Sequence, residues 1–235
     1  MPFHAHFGSE IWLHQAGPTV ALLLVGCLYL WGWTRLRLSL ATSISMRRAA
    51  SFLSGLLLIW LAVGSPLAGL DMELLTAHMI QHLLLMTLAP PLILLGSPSE
   101  PFLNALPLDF RRRFVDRLSR QDWLRRFATV LLQPAVCWLA SAATLVVWHI
   151  PGLFALAMHS QSLHVFEQLT FLASGLLFWW PVVRYTTGVA TQSGWLVLLY
   201  LFLATIPCDI LSAFLVFSER VVYPVYFSAP RLLCL

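Results

Sequence analysis

His78 and His82 stand four residues apart in the stretch AHMIQHLLLMTLAPPLILLG, residues 77–96. On a helix, four residues advance about 6 Å and turn about 40° past a full revolution, so the two imidazoles stack on one face. Met86 continues that stripe a turn further, and Met79 and Gln81 flank it. Imidazoles at i and i+4 can ligate one metal ion from successive turns. A thioether adds a soft donor, which favours Cu(I) over harder ions. The competing reading leaves both histidines at the lipid headgroups, bonded to water.

Further polar residues bear on that choice. His149 follows Trp148 and precedes Pro151, while His164 and Glu167 stand at i and i+3 with Gln168 beside them. Asp209 follows Pro207 and Cys208 inside another apolar stretch. A carboxylate at bilayer centre costs roughly 2.5–3.5 kcal/mol on insertion scales, so it usually faces the bundle interior and has a partner. The histidines are the expected partners, and Pro207 can open its helix locally. The candidate metal ligands and neighbours are thus His78, Gln81, His82, Met86, His149, His164, Glu167 and Asp209. No catalytic constellation accompanies them: the chain has no phosphate-binding glycine loop, nucleophile elbow or paired-carboxylate hydrolase pattern.

The elements that must position these residues follow from composition. Of 235 residues, 59% are hydrophobic and only 10% charged, with mean hydropathy +0.80. A soluble domain carries about a quarter charged residues. The chain therefore reads as an all-α, polytopic transmembrane helix bundle, a single domain over 1–235. A helix crossing about 30 Å of hydrocarbon needs roughly 20 apolar residues. Six stretches qualify, at about 18–36, 49–66, 74–96, 128–149, 163–183 and 194–217. Their length argues for helices over barrel strands, since lipid satisfies no backbone groups. The N-terminus lacks the basic start of a cleaved signal peptide, so the first span is expected to stay.

The positive charge is all arginine, fourteen residues without a lysine. The connection after the first span holds Arg35, Arg37, Arg47 and Arg48; that after the third holds Arg111, Arg112, Arg113, Arg117, Arg120, Arg125 and Arg126; that after the fifth holds Arg184. Only Arg220 and Arg231 fall on the other side. By the positive-inside rule both termini face out. Arginines gathered beside apolar segments read as orientation signals, and nucleic acid is excluded as a partner. An outer stretch 1–17 precedes the first span. The inner loop 97–127 contains DFRRRFVDRLSRQDWLRRF, with Phe110, Phe114 and Leu118 at helical spacing. That pattern fits an amphipathic helix on anionic lipid, or equally a solvated loop that sets topology. All eight histidines (His4, His6, His14, His78, His82, His149, His159 and His164) then fall on the outer side. Hydropathy does not force that partition. Cys27, Cys137, Cys208 and Cys234 form no C-x-x-C pair, and three lie in apolar segments where a small buried hydrophobe is the usual role.

HMIQHLLL followed by APPLILLGSP resembles the signature helix of the CtaG-type cytochrome c oxidase assembly factors. The likeness continues in order through SPLAGL, WHIPGLF, HVFEQLTFLASGLLFWWPVV and SAFLVFSERVVYPVY, over residues 20 to 230. It implies a polytopic protein needed to assemble a haem–copper terminal oxidase and thought to help deliver copper on the outer side of the membrane. Carried over by position, it implicates His78, Gln81, His82, His149, His164 and Glu167. Two departures stand out. The family commonly reads E-H where this chain has Glu167-Gln168. Members also continue past Y-P-x-Y with a D-Q-Q motif and one more helix, whereas this sequence ends Arg231-Leu-Leu-Cys-Leu. Both lead to the expectation of a site with fewer ligands than the family's, with Cys234 as a conceivable substitute.

The leading expectation is a non-enzymatic, copper-handling assembly factor in the bacterial inner membrane. Its partners would be cytochrome c oxidase subunits, lipid and other copper chaperones. The alternatives are a haem b held by histidines from two helices, a copper transporter, and a structural partner whose histidines bind nothing. Paired histidines on facing helices suit haem equally well. Transport is disfavoured because no histidine continues toward the inner face.

Overall fold

In the computed structural model, which describes residues 6–39, 45–65, 67–71, 74–189, 193–218 and 222–223, every regular element is helical. The outermost N-terminal residues with His4, and Arg220, Arg231 and Cys234, lie outside the described residues. The expected first and second spans are α1 (His6–Ser39) and α2 (Met46–Val63), followed by the short α3 (Leu67–Leu70). The third is composite: α4 (Leu75–Leu83), a π-helical turn (Leu84–Leu88) and α5 (Ala89–Leu95). Where an amphipathic inner loop was expected, α6 (Ser99–Ala105), α7 (Leu108–Ser119) and α8 (Asp122–Leu131) follow. Then come α9 (Pro134–Trp148), α10 (Pro151–His159), α11 (Gln161–Thr186) and α12 (Gly194–Phe217).

Proline chemistry explains the departures from six uninterrupted spans. The expected segment 128–149 is broken at Gln133, whose ψ of 136° is extended. A residue before proline is pushed out of the helical region, and Pro134 then opens a new helix at a position where its missing N–H costs nothing. α8 and α9 meet there at 67°. In the third segment, Pro90 and Pro91 deprive the preceding turn of donors. The N–H of Ala89 reaches back to the carbonyl of Leu84, the five-residue spacing of a π turn.

Four stretches among the described residues are long and apolar enough to cross a membrane: Ala16–Leu38, Met46–Leu70, Leu75–Leu95 and Gly194–Phe217. The bent α8–α9 pair makes a fifth if it is one span. α11 has the length, at 26 residues, but carries His164, Glu167, Gln168 and Arg184 within it. These several apolar helices make the chain a helical membrane protein.

The third segment, α9, α10 and α12 pack against α11. An apolar cluster of Ile59, Ala62, Leu85, Ala89, Trp148, Ala157 and Phe171 joins α2, the third segment, α9, α10 and α11. A second cluster, Tyr29, Trp33, Ala49 and Phe52, joins α1 to α2. There the Tyr29 hydroxyl donates to the Gly96 carbonyl at 2.9 Å. Gly175 of α11 lies against the π turn so closely that a Cβ would stand 2.6 Å from the Met86 carbonyl oxygen. Glycine is the residue that permits such an approach between membrane helices. α12 sits at the rim with most of its apolar side chains exposed, as a lipid-facing surface requires.

Candidate metal centre

Four elements converge above the apolar cluster. α4 carries His78 and His82 on its buried face with Ala77 and Gln81. α11 contributes His164 from its first turn and Glu167 three residues further in. His149 caps α9. Asp71 comes from the turn that ends α3. The sequence reading missed Asp71. The available signal was an ionisable residue directly after SPLAGL, on the side where the histidines gather. His78, Gln81 and Glu167 have no exposed surface at all, and Asp71, His82, His149 and His164 have 6% or less.

Glu167 sits among three imidazoles. Its Oε1 lies 3.6 Å from His78 Nε2 and 3.4 Å from His82 Nε2, and its Oε2 lies 3.3 Å from His164 Nδ1. The other nitrogen of His164 stands 2.9 Å from Asp71 Oδ2 and 2.9 Å from the Gln168 amide nitrogen. Because Gln168 directs its amide at a nitrogen already engaged with a carboxylate, its oxygen is the better assignment for that contact. Two trios, Asp71–His78–His164 and His78–His82–Glu167, can each bring one ligand atom per residue within 4.8 Å of the others.

Most of these polar atoms make no hydrogen bond within the protein. Among the described residues, eleven buried side-chain nitrogens and oxygens lack a hydrogen bond, and nine of them belong to His78, Gln81, His82, His164 and Glu167. Each such atom costs about 1–3 kcal/mol if left unsatisfied. The nitrogen–oxygen spacings of 3.3–3.6 Å are long for charge-assisted hydrogen bonds. They suit donors sharing one ion: with metal–nitrogen and metal–oxygen bonds of about 2.0–2.1 Å, neighbouring ligands in a tetrahedron stand about 3.3 Å apart.

Packing fixes the rings. His82 stacks on Phe171 at 3.9 Å between centroids, and His78 meets Phe154 edge-on at 5.0 Å. His78 and His82 are 4.3 Å apart. His149 donates from Nδ1 to the Leu145 carbonyl at 2.7 Å, which leaves Nε2 as the ligating atom. Its ring centroid lies 6.1 Å from that of His82, beside both trios and in neither. Trp148 donates to Thr170 at 2.8 Å and ties α9 to α11 at that level.

The remaining expected site residues stand elsewhere. Asp209 is exposed on α12 and belongs to neither trio, so the expected pairing with the histidines is corrected. α12 packs mainly against α9 and α11 at the rim, with Leu215 reaching the Phe154–Met158 cluster, and Asp209 is exposed. Met86 lies in the π turn and packs against the apolar cluster below the histidines. His159 is exposed on α10.

Comparison with known proteins gives the family. The chain is 26% identical over 152 residues to the uncharacterized protein Mb0105 of Mycobacterium bovis and equally to the uncharacterized protein MT0111 of Mycobacterium tuberculosis. Each alignment covers 60% of this chain but 23% of the relative, so the chain spans about a quarter of the length of the curated relatives it matches. No solved structure matches it. The model of the cytochrome c oxidase caa3 assembly factors (Caa3_CtaG) matches residues 27–233, from α1 past the last described residue and through all the converging side chains, and the chain belongs to that family.

Proposed function

We propose that the chain is a multi-pass assembly factor of the bacterial inner membrane that holds copper in the His78–His82–Glu167 trio and passes it to a subunit of a haem–copper oxidase. The single observation that carries this reading is the convergence of three buried imidazole nitrogens on the two Glu167 oxygens at 3.3–3.6 Å, none of these atoms hydrogen-bonded within the protein. The converging donors are imidazoles and carboxylates, whereas Met86, the basis for expecting Cu(I), packs with the apolar cluster. Nitrogen and oxygen donors suit Cu(II). Haem is served less well, because Glu167 occupies the space among three imidazoles at 3.3–3.6 Å.

In this reading α1, α2, the third segment, α8–α9, α11 and α12 make six spans with both termini out, and the arginine-bearing connections face the cytoplasm. The buried cluster then lies toward the outer side, where oxidase subunits or other copper chaperones would meet it. The test is metal analysis of the purified protein and of the His78→Ala/His82→Ala variant. Copper in the parent and none in the variant is expected. Equal copper in both would rule out the site, and an intense Soret band would make haem the ligand.

A further inference from the structure

We infer that the cluster holds its ion at two successive positions sharing His78: an outer one formed by Asp71, His78 and His164, and an inner one formed by His78, His82 and Glu167. This rests on the copper reading above and adds to it a route of loading.

The two trios are stacked in depth. Asp71 ends α3 ahead of α4, and His78 and His164 lie in the first turns of α4 and α11. His82 and Glu167 lie four and three residues further along, about 5 Å deeper. His78 suits the shared role. It is fully buried, neither of its ring nitrogens makes a hydrogen bond within the protein, and it belongs to both trios, with Nε2 3.6 Å from Glu167 Oε1. His164 links the same two carboxylates, with Nε2 at Asp71 and Nδ1 at Glu167.

Charge makes the step feasible. Each position offers two imidazoles and one carboxylate, so an ion moving between them meets the same formal charge. It exchanges two ligands while keeping the third, and it is never stripped bare inside a low-dielectric bundle, where an unpaired ion is prohibitively costly. Loading at the outer position replaces the hydrogen bond between His164 Nε2 and Asp71 Oδ2. The ion bonds to both atoms and to His78, and the proton that joined them leaves to the outer aqueous phase. No electron is transferred.

The experiment uses the full chain, freed of metal in detergent, with Cu(II) as the probe. It follows loading rate, retained copper and the electron paramagnetic resonance spectrum. The parent should retain copper. His82→Ala should still retain it at the outer position, at least tenfold more weakly and with an altered spectrum. Asp71→Asn should reach the parent's final copper content at least tenfold more slowly, and His164→Gln should also slow loading, which covers a failure of Asp71→Asn to fold. His78→Ala and the Asp71→Asn/His82→Ala double variant should retain none. An His82→Ala protein as empty as His78→Ala, or Asp71→Asn loading at the parent's rate, overturns the two-position scheme while leaving one copper site. A parent that binds no copper overturns both readings together.

Discussion

Tyr223 donates its hydroxyl to the carbonyl oxygen of His149 across 3.0 Å, joining the segment beyond α12 to the cap of α9. The Tyr223 ring also packs on Phe154 at 4.2 Å, and Phe154 in turn meets His78. Burial, reinforced by the nearby Glu167 charge, pushes the phenol up to about 12, so it stays protonated and donating at ordinary pH. Tyr223→Phe keeps the ring and removes the donor, leaving a buried carbonyl short of a partner. The expected cost is about 1–3 kcal/mol of stability, seen as a lower melting temperature in detergent. Copper affinity should change by less than about threefold, under 1 kcal/mol, because the bond reaches backbone and not a ligand atom. An unchanged melting temperature would show the bond to be dispensable.

Among the described residues, Glu167 is the one carboxylate within 3.6 Å of three histidines. Glu167→Gln preserves volume and removes the anion that balances a cation. Copper affinity should fall by at least about 100-fold, or about 2.7 kcal/mol, measured by competition with a chelator of known affinity. Folding should survive, since an amide can hydrogen-bond to neutral imidazoles. A Gln variant that competes for copper as well as the parent does would remove Glu167 from the ligand set.

The sequence made much of this arrangement legible. All six apolar stretches are helical at nearly the expected places, because long apolar runs in lipid leave the backbone no other choice. His78, His82, His164 and Glu167 were legible because i, i+4 and i, i+3 spacings fix a shared face before any tertiary packing is known. Asp71 was not, since it lies in a turn where no period predicts direction. Asp209 misled for the converse reason. Its depth in the span predicted burial, but only packing decides which way a helix face points, and α12 packs at the rim. The π turn was hidden as well. Pro90 and Pro91 announced a disturbance, and whether the chain answers with a kink or a wider turn depends on its neighbours.

Gly175 and Gly152 should answer oppositely to alanine. At Gly175 a Cβ would meet the Met86 carbonyl oxygen at 2.6 Å, Pro90 Cγ at 2.8 Å and Met86 Cα at 2.9 Å. Two of those atoms are backbone, so α11 must move away from the π turn, at a cost of about 1–3 kcal/mol. Glu167 and His164 ride on the same helix, so copper retention should fall too. At Gly152 nothing lies within 4 Å, and alanine in that helical position should be neutral or stabilising by up to about 1 kcal/mol. Thermal melts of the two variants side by side test the contrast. Equal behaviour would mean that α11 and the π turn are not in close contact.

Copper binding should weaken on acidification, because protons compete for the imidazole lone pairs that the ion uses. Histidine ligates only when neutral, and its ordinary value is about 6.5. Retention should therefore be full in neutral and mildly alkaline solution and decline as pH falls through the histidine range. Loading in weakly buffered solution should release protons into the medium. A dye that reports pH gives the count. Copper retention that stays flat down to pH 4 would argue that imidazoles are not the ligands.

The proposed orientation makes a separate prediction, independent of any metal. Ser160 lies between α10 and α11, on the side of the histidines, and Thr187 follows α11 and Arg184, on the side of the arginines. In a background lacking the native cysteines, Ser160→Cys should react with a membrane-impermeant maleimide in intact spheroplasts. Thr187→Cys should react only after the membrane is opened. The expectation rests on charge alone, because arginine-rich connections are retained on the cytoplasmic side during insertion. The reverse pattern would place the cluster against the cytoplasm. Delivery of copper to an outer-face oxidase site would then be impossible, even with every ligand distance unchanged.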